Sequence, residues 1–78
     1  NFANVSMARS GDARICVLSA ATDTLVADIT AAAGVAIVGI ASKARGENAY
    51  TIIDVNGDAT AAAANIAALD SVYRAYAI

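Results

Sequence analysis

The order of the predicted segments constrains the fold of this chain more than any other feature. Clusters of glycine and polar residues divide its 78 residues into six short segments. In chain order, these segments have the residue patterns of strand, helix, strand, strand, helix and strand. We predict strands at 14–19, 35–41, 49–55 and 72–78, one helix from Leu25 to a stop at Gly34, and a second helix at 59–69.

The first strand and the first helix show these patterns most clearly. Residues 14–19 read RICVLS, a run rich in apolar side chains that is typical of a buried strand. Leu25, Ile29 and Ala32 then recur at the spacing of one helix face. Gly34 follows three alanines and suits the left-handed position at which many helices end.

The second half of the chain repeats this unit after a hairpin, which we predict at 45–48. Asp58 or Thr60 can cap the second helix. The apolar stripe of this helix consists of Ala62, Ile66 and Leu69. Two strand–helix units joined by a hairpin predict a ferredoxin-like α+β sandwich with the order βαββαβ. Its antiparallel four-stranded sheet would carry both helices on one face.

The composition predicts a thin core. Although 59% of the residues are apolar, 22 of the 78 residues are alanine, so few large side chains can fill the interior. A domain of this size is marginal without further support. The second strand, 35–41, is apolar on both faces, whereas a half-exposed sheet alternates apolar and polar side chains. We therefore expect its outer face or edge to meet a partner subunit or a parent chain.

Charge and missing residue types exclude several functions. The net charge of −2 argues against nucleic acid or an anionic membrane as a partner, and no apolar run is long enough to span a membrane. The chain has no His, which excludes a Ser–His triad, and its single Cys16 excludes an internal disulfide or a zinc cluster. We expect Cys16 to be buried in the first strand and the chain to be cytoplasmic.

The sequence predicts no catalytic residue, no cofactor site and no metal site in this chain. The glycines do not form a dinucleotide-binding or phosphate-binding motif. Glu47, Asp54 and Asp58 lack the spacing of a calcium loop, and a turn explains the last of them. A phosphatase of the same topology needs a cation in the loop after the first strand. That loop, 19–24, has no Arg or Lys and carries Asp23.

Three stretches of the chain resemble a known family. Residues 1–7, NFANVSM, resemble the segment Asn-Phe-Pro-x-Val-Ser-Leu that leads into the C-terminal domain of D-3-phosphoglycerate dehydrogenases. Residues 49–78 resemble the third strand, second helix and closing strand of that domain, and Gly34-Val35 falls at its Gly-Val pair. The chain is therefore similar, over essentially its whole length, to the regulatory ACT domain of these enzymes.

This resemblance implies both a domain organisation and a parent activity. Residues 1–12 would be a lead-in segment from a parent chain, and residues 13–78 would be the ACT-like domain. The body of the parent chain would bind NAD and oxidise 3-phosphoglycerate in serine biosynthesis. The domain itself would be no enzyme. It would form a homo-oligomer through a sheet edge and its helices, and it would regulate the parent enzyme.

The resemblance also implies a site for a small amino acid, such as L-serine, between two subunits. The matching positions are Ser19, Thr22, Asp23 and Thr24 of one subunit with Val35 and Ala36 of the other. We predict that the subunits pair through the second strand, because neither charge nor proline blocks its edge. The predicted contact residues are Val35, Ile37, Gly39 and Ala41.

The chain departs from the family at positions that matter for sensing. Members that sense serine carry a His and an Asn where this chain has Ser19 and Ala21, and a second Asn where it has Ala36. The substitutions remove donors and acceptors that an amino-acid ligand needs. Helix-cap chemistry alone also explains residues 22–24, TDT. The alternative function is therefore a purely structural assembly domain with no effector.

Overall fold

A computed structural model describes residues 6–78 and shows the predicted α+β fold, of ferredoxin-like topology. The elements are β1 (Ala13–Ala20), α1 (Leu25–Ala33), β2 (Ala36–Arg45), β3 (Asn48–Asn56), α2 (Ala59–Ala67) and β4 (Val72–Ala77). The four strands form one antiparallel sheet in the order β2-β3-β1-β4, so that β2 and β4 are its edges. Of the segment 1–7, on which part of the resemblance depends, residues 1–5 lie outside the described residues.

Helix α1 begins at Leu25 and stops at Gly34, as predicted, but its N-terminal cap differs from the prediction. Gly34 has a φ of 71° at the C-cap, which confirms the left-handed stop. Ala33 takes the place on the buried face that we predicted for Ala32, which is only partly buried. The side chain of Thr24 accepts no hydrogen bond from the first turn of the helix, and its hydroxyl instead donates to the carboxylate of Asp28 at 2.9 Å. The predicted side-chain cap at this end is therefore wrong.

Helix α2 is shorter than predicted and is capped by the first of the two candidates. The Asp58 carboxylate accepts a hydrogen bond from the Ala61 amide at 3.0 Å, which confirms Asp58 as the N-cap. The helix ends at Ala67, before Leu69, yet Leu69 still packs against the core. The buried positions of α2 are Ala62, Ala63 and Ile66.

The hairpin between β2 and β3 is longer and tighter than predicted. Strand β2 continues past residue 41 to Arg45, and only Gly46 and Glu47 connect it to β3. Gly46 has a φ of 62°, which a tight turn requires and which glycine adopts without strain. Three of the four added residues, 42–45, are polar, and the hydroxyls of Ser42 and Thr51 share a hydrogen bond of 2.9 Å across the strand pair.

Each edge strand carries one β-bulge. In β2, Ile37 pairs with Val55 and Gly39 with Asp54, so that Val38 is the extra residue. In β4, the pairing slips in the same way and leaves Tyr73 as the extra residue. Both side chains are large, apolar and exposed, at 46% for Val38 and 62% for Tyr73. A bulge reverses the faces of the residues that follow it, so strict alternation along these strands does not hold.

The two faces of the sheet are both buried at the centre. The face toward the helices contributes the fully buried Ile15, Val17, Ile53 and Val55 to the core. The opposite face carries Arg14, Cys16, Ile52 and Asp54, each less than 9% exposed. The predicted burial of Cys16 is confirmed. A sheet face with no cover would expose its central side chains, so this outer face is not an open surface at its centre.

Candidate functional site

The most distinctive chemical feature of the outer face is a buried ion pair between Arg14 and Asp54. The two residues lie opposite each other on β1 and β3. Arg14 Nε donates to Asp54 Oδ1 at 2.7 Å, and Arg14 Nη2 donates to Asp54 Oδ2 at 3.0 Å. Asp54 is fully buried and Arg14 is 8% exposed. This two-pronged geometry gives each charge a partner in a region from which water is excluded.

The contacts of Asp54 determine its protonation state. The pKa of Asp54 is lowered from 3.8 to about 2, chiefly by the hydrogen bond from Arg14 and also by the hydrogen bond from the Ser10 amide, while burial acts in the opposite direction. The pKa of Arg14 is raised, chiefly by its hydrogen bond to Asp54. Both groups are therefore charged at neutral pH. Because its oxygens already accept several hydrogen bonds, Asp54 is not available as a general base.

Residues 7–11 lie across this face, and we refer to them as the strap. The Ser10 amide donates to Asp54 Oδ2 at 2.8 Å, and its hydroxyl donates to the same oxygen at 3.4 Å. The carbonyl oxygen of Met7 accepts from Arg14 Nη2 at 2.8 Å. Arg9 Nη2 donates to the carbonyl of Ile78, the residue that follows β4, at 3.2 Å. The ion pair therefore anchors the strap to the sheet.

A second set of contacts fixes the end of the strap where it enters β1. The Asp12 amide donates to Asn56 Oδ1 at 3.0 Å and to the carbonyl of Val55 at 2.9 Å. In return, the Gly57 amide donates to the carboxylate of Asp12 at 3.2 Å. Within residues 6–78, no buried side-chain nitrogen or oxygen lacks a hydrogen-bond partner. The polar groups of this region are thus satisfied within the chain.

Two glycines allow the strap to lie this close to the sheet. Gly11 has a φ of 69°, and a Cβ there would lie 2.7 Å from the carbonyl oxygen of Val55. A Cβ on Gly39 would lie 3.3 Å from both Met7 Cε and Ser10 Oγ. The strap therefore occupies the space that a side chain at position 39 would fill.

The structure places the first four predicted effector residues in different surroundings, because Ser19 lies within β1 whereas residues 22–24 follow it in the β1–α1 loop. Ser19 is fully buried, and its hydroxyl donates to the carbonyl of Ala20 at 3.0 Å. Thr22, Asp23 and Thr24 are exposed. Ser19 therefore does not present its hydroxyl at the surface, and three exposed side chains remain near the helix N-terminus as candidates.

The other two predicted effector residues lie at the opposite end of the sheet. Ala36 and Ser19 both pair with β3, Ala36 with Asn56 and Ser19 with Ala49. Their partners are seven residues apart along that strand. At the usual rise of a strand this is about 23 Å. Val35, next to Ala36, faces the β3–α2 turn, where its Cγ1 would lie 3.0 Å from a Cβ on Gly57. A site that uses both groups needs two copies of the chain, as the prediction assumed.

The predicted contact strand, β2, is confirmed as an edge of the sheet. The residues predicted to make the contact are half-buried: Val35, Ile37, Gly39 and Ala41. Between them, Ala36, Val38 and Ile40 are exposed. Val38 and Ile40, at 46% and 38% exposure, are thus the large apolar groups that this edge presents. No charged residue occurs in β2 before Lys43.

Two further findings concern ligands and membranes. No group of three or more Cys, Asp or Glu side chains within residues 6–78 is arranged to hold a metal ion. In the same part of the chain, neither helix has the length and apolar character needed to cross a bilayer.

Sequence reasoning missed the ion pair and the strap. The available signal was a pair of opposite charges, Arg14 and Asp54, each within an otherwise apolar strand. Antiparallel pairing of these two strands can bring such charges opposite each other, and buried charges require partners. The strap had no comparable signal, because residues 7–11, MARSG, follow neither strand nor helix periodicity.

Comparison with known proteins leaves the family of the chain open, since no protein-family model and no curated protein matches it.

Proposed function

We propose that this chain is a regulatory and oligomerisation domain of the ACT type, in which two copies pair edge to edge through β2. The parent would be an NAD-dependent 3-phosphoglycerate dehydrogenase of the cytoplasm, whose body binds NAD. The βαββαβ fold supports this proposal, as does the sequence resemblance. The observation that carries it is the presence of exposed Val38 and Ile40 on an uncharged stretch of an edge strand.

An edge of this kind favours pairing with another strand. An edge strand has backbone donors and acceptors that its own sheet does not use, and proteins commonly protect such edges with charges or proline. In β2 the charges begin only at Lys43, and the chain contains no proline. Pairing through residues 40–42 would extend the sheet and remove apolar area at Ile40 from water.

The opposite edge of the sheet, β4, differs from β2 because it carries a charge beside its exposed apolar residue. Strand β4 also carries an exposed aromatic residue, Tyr73, but it has the charged Arg74 next to it. The guanidinium carbon of Arg74 lies 4.6 Å from the centre of the Tyr76 ring. A charge in a short edge strand disfavours strand addition, so we assign pairing to β2 and not to β4.

A small amino acid such as L-serine would bind near the β1–α1 loop of one copy. The exposed side chains of Thr22, Asp23 and Thr24 would supply its polar contacts, with Asp23 as acceptor for the ammonium group. The burial of Ser19 favours the second candidate function, an assembly domain without an effector. Calorimetric titration with L-serine and other small amino acids separates the two. Heat of binding that Asp23→Ala abolishes supports sensing, and no heat at millimolar ligand supports assembly alone.

The pairing edge is tested by placing the same charge on each edge of the sheet. Ile40→Lys on β2 should shift the dimer to monomer in sedimentation equilibrium, because it brings two like charges together across the paired edge. Tyr73→Lys, at the exposed bulge of β4, is the matched control and should leave the dimer intact. Circular dichroism confirms that both variants are folded. A dimer lost only in Tyr73→Lys would assign pairing to β4 and contradict the proposal.

A further inference from the structure

The strap contacts the candidate pairing edge at its one irregular point. Gly39 is the cross-strand partner of Asp54, the residue that anchors the strap. Val38, just before it, is the extra residue of the β2 bulge. The anchor of the strap and the bulge of the edge strand are therefore immediate neighbours across β2 and β3.

The strap touches both residues of this bulge. A Cβ on Gly39 would lie 3.3 Å from Met7 Cε and 3.3 Å from Ser10 Oγ, so the strap lies directly over Gly39. A Cβ on Gly11 would lie 2.8 Å from Val38 Cγ2, so the Val38 side chain lies beside the strap backbone. These contacts hold the extra residue of β2 on the strap side of the sheet.

The strap can leave without leaving a charge unpaired. Both hydrogen bonds between Arg14 and Asp54 are independent of it, so the ion pair persists when Ser10 and Met7 withdraw. Within the described part of the chain, no backbone-to-backbone hydrogen bond joins residues 7–11 to the sheet. All but Met7 of these residues are exposed. Segments with few buried contacts open at low free energy, well before the fold as a whole.

We propose that the strap sets the geometry of the β2 bulge and thereby regulates pairing through the β2 edge. A bulge interrupts the regular ladder and twists an edge strand, so its position decides which residues of the edge can pair. With the strap in place, β2 pairs without interruption with β3 from Gly39 to Arg45. Loosening the strap frees Val38 and disorders the start of this stretch. The effect on pairing rests on the edge pairing proposed above.

The variant Gly39→Ala tests this inference because it displaces the strap alone. Gly39 does not have a positive φ, so its backbone accepts alanine, and only Met7 and Ser10 must move. We expect faster amide hydrogen exchange at Ser10 and, with it, at Val38 and Ile40. We also expect the dissociation constant of the dimer to rise about five- to tenfold, a typical coupling between sites. Met7→Ala removes the other partner of the same contact and should act in the same direction.

Gly46→Ala is the control for a general loss of stability. Gly46 has a positive φ, so alanine strains the hairpin, but no atom outside its neighbours lies within 4 Å of the added Cβ. This variant should leave exchange at Ser10 and Val38 unchanged. Faster exchange at Ser10 with unchanged exchange at Val38 and Ile40 in Gly39→Ala would overturn the inference, and so would unchanged exchange at Ser10 in both strap variants.

The outcome also separates this inference from the proposed function. A wild-type chain that is monomeric at every concentration contradicts edge pairing, and with it the regulation of pairing by the strap. Amide hydrogen exchange at Val38 and Ile40 in Gly39→Ala still tests, in that monomer, whether the strap holds the bulge. A wild-type dimer whose dissociation constant is the same in Gly39→Ala supports edge pairing but contradicts its regulation by the strap.

Discussion

Arg14 and Asp54 face each other across β1 and β3 and form a buried ion pair with two hydrogen bonds, at 2.7 and 3.0 Å. Buried charges are costly, and this pair lies on the face of the sheet away from the helices. The ion pair also binds the strap, because the carboxylate of Asp54 accepts from the Ser10 amide and the guanidinium of Arg14 donates to the carbonyl of Met7. This explains its position on that face. The pair thus joins the strap to the centre of the sheet.

Removing Arg14 alone should destabilise the fold strongly. Arg14→Ala leaves a buried carboxylate without its cation, which typically costs about 3–5 kcal/mol. Urea unfolding measures this loss. Arg74→Ala is the matched control, since Arg74 is exposed and its contact with Tyr76 is worth about 0.5–1 kcal/mol. The double variant Arg14→Met with Asp54→Asn should be more stable than Arg14→Ala. Equal losses for Arg14→Ala and Arg74→Ala would show that the pair is not buried in solution.

The lowered pKa of Asp54 predicts a loss of stability in acid. The pKa of Asp54 is about 2 in the fold and 3.8 without these contacts. The contribution of the ionised carboxylate to the free energy of unfolding is therefore fully present above pH 3.8. That contribution is lost as the pH falls through 2. We expect the difference in free energy of unfolding between wild type and Asp54→Asn to shrink between pH 5 and pH 2. Curves that stay parallel over this range would contradict the assignment of the low pKa to Asp54.

The N-cap of α2 gives a prediction that separates the two candidates drawn from the sequence. Asp58→Ala removes the acceptor of the Ala61 amide and should cost about 1 kcal/mol. Thr60→Ala, two residues further on in the first turn of α2, should cost nothing, because alanine is the better helix former. Thermal unfolding of both variants is the measurement. A larger loss for Thr60→Ala would place the cap there instead.

Gly11 and Gly34 form a matched pair for the close approach of the strap. Their φ angles are 69° and 71°, so alanine carries about the same backbone cost at both, roughly 1–2 kcal/mol. Only at Gly11 would the added Cβ also meet a backbone oxygen, 2.7 Å away, whereas the nearest atom at Gly34 is 3.6 Å away. Gly11→Ala should therefore be the more destabilising, and it alone should speed amide exchange at Ser10. Equal effects of the two variants would mean that the strap does not lie against Val55.

The fold was predictable from the sequence because its local signals agree with one another. Gly34 and Asp58 mark helix ends by their own conformational and hydrogen-bonding preferences, and each acts as expected. Two partners compete for the orientation of the Thr24 side chain, whose hydroxyl donates to the Asp28 carboxylate instead of accepting a hydrogen bond from a helix amide. Such competition depends on side-chain rotamers, which a pattern of residue types does not contain.

The features around the candidate site were less predictable for a different reason. The bulge at Val38 lies within a strand that is apolar on both faces, so no alternation marks the slip in pairing. The strap is held by contacts between residues 44 positions apart, such as Ser10 with Asp54, which no local pattern reveals. The sequence itself shows that Ser19 and Ala36 stand where serine-sensing relatives of the resembled family carry polar ligands. The structure adds that Ser19 is fully buried, so its hydroxyl does not reach the surface.

The measurement that tests the central proposal most directly is sedimentation equilibrium of the wild-type chain, with and without millimolar L-serine. We expect a dimer, because β2 presents an uncharged edge with exposed Val38 and Ile40. A dimer that L-serine tightens supports a sensing domain, and a dimer that is indifferent to L-serine supports assembly alone. A chain that remains monomeric in both conditions would contradict pairing through the β2 edge.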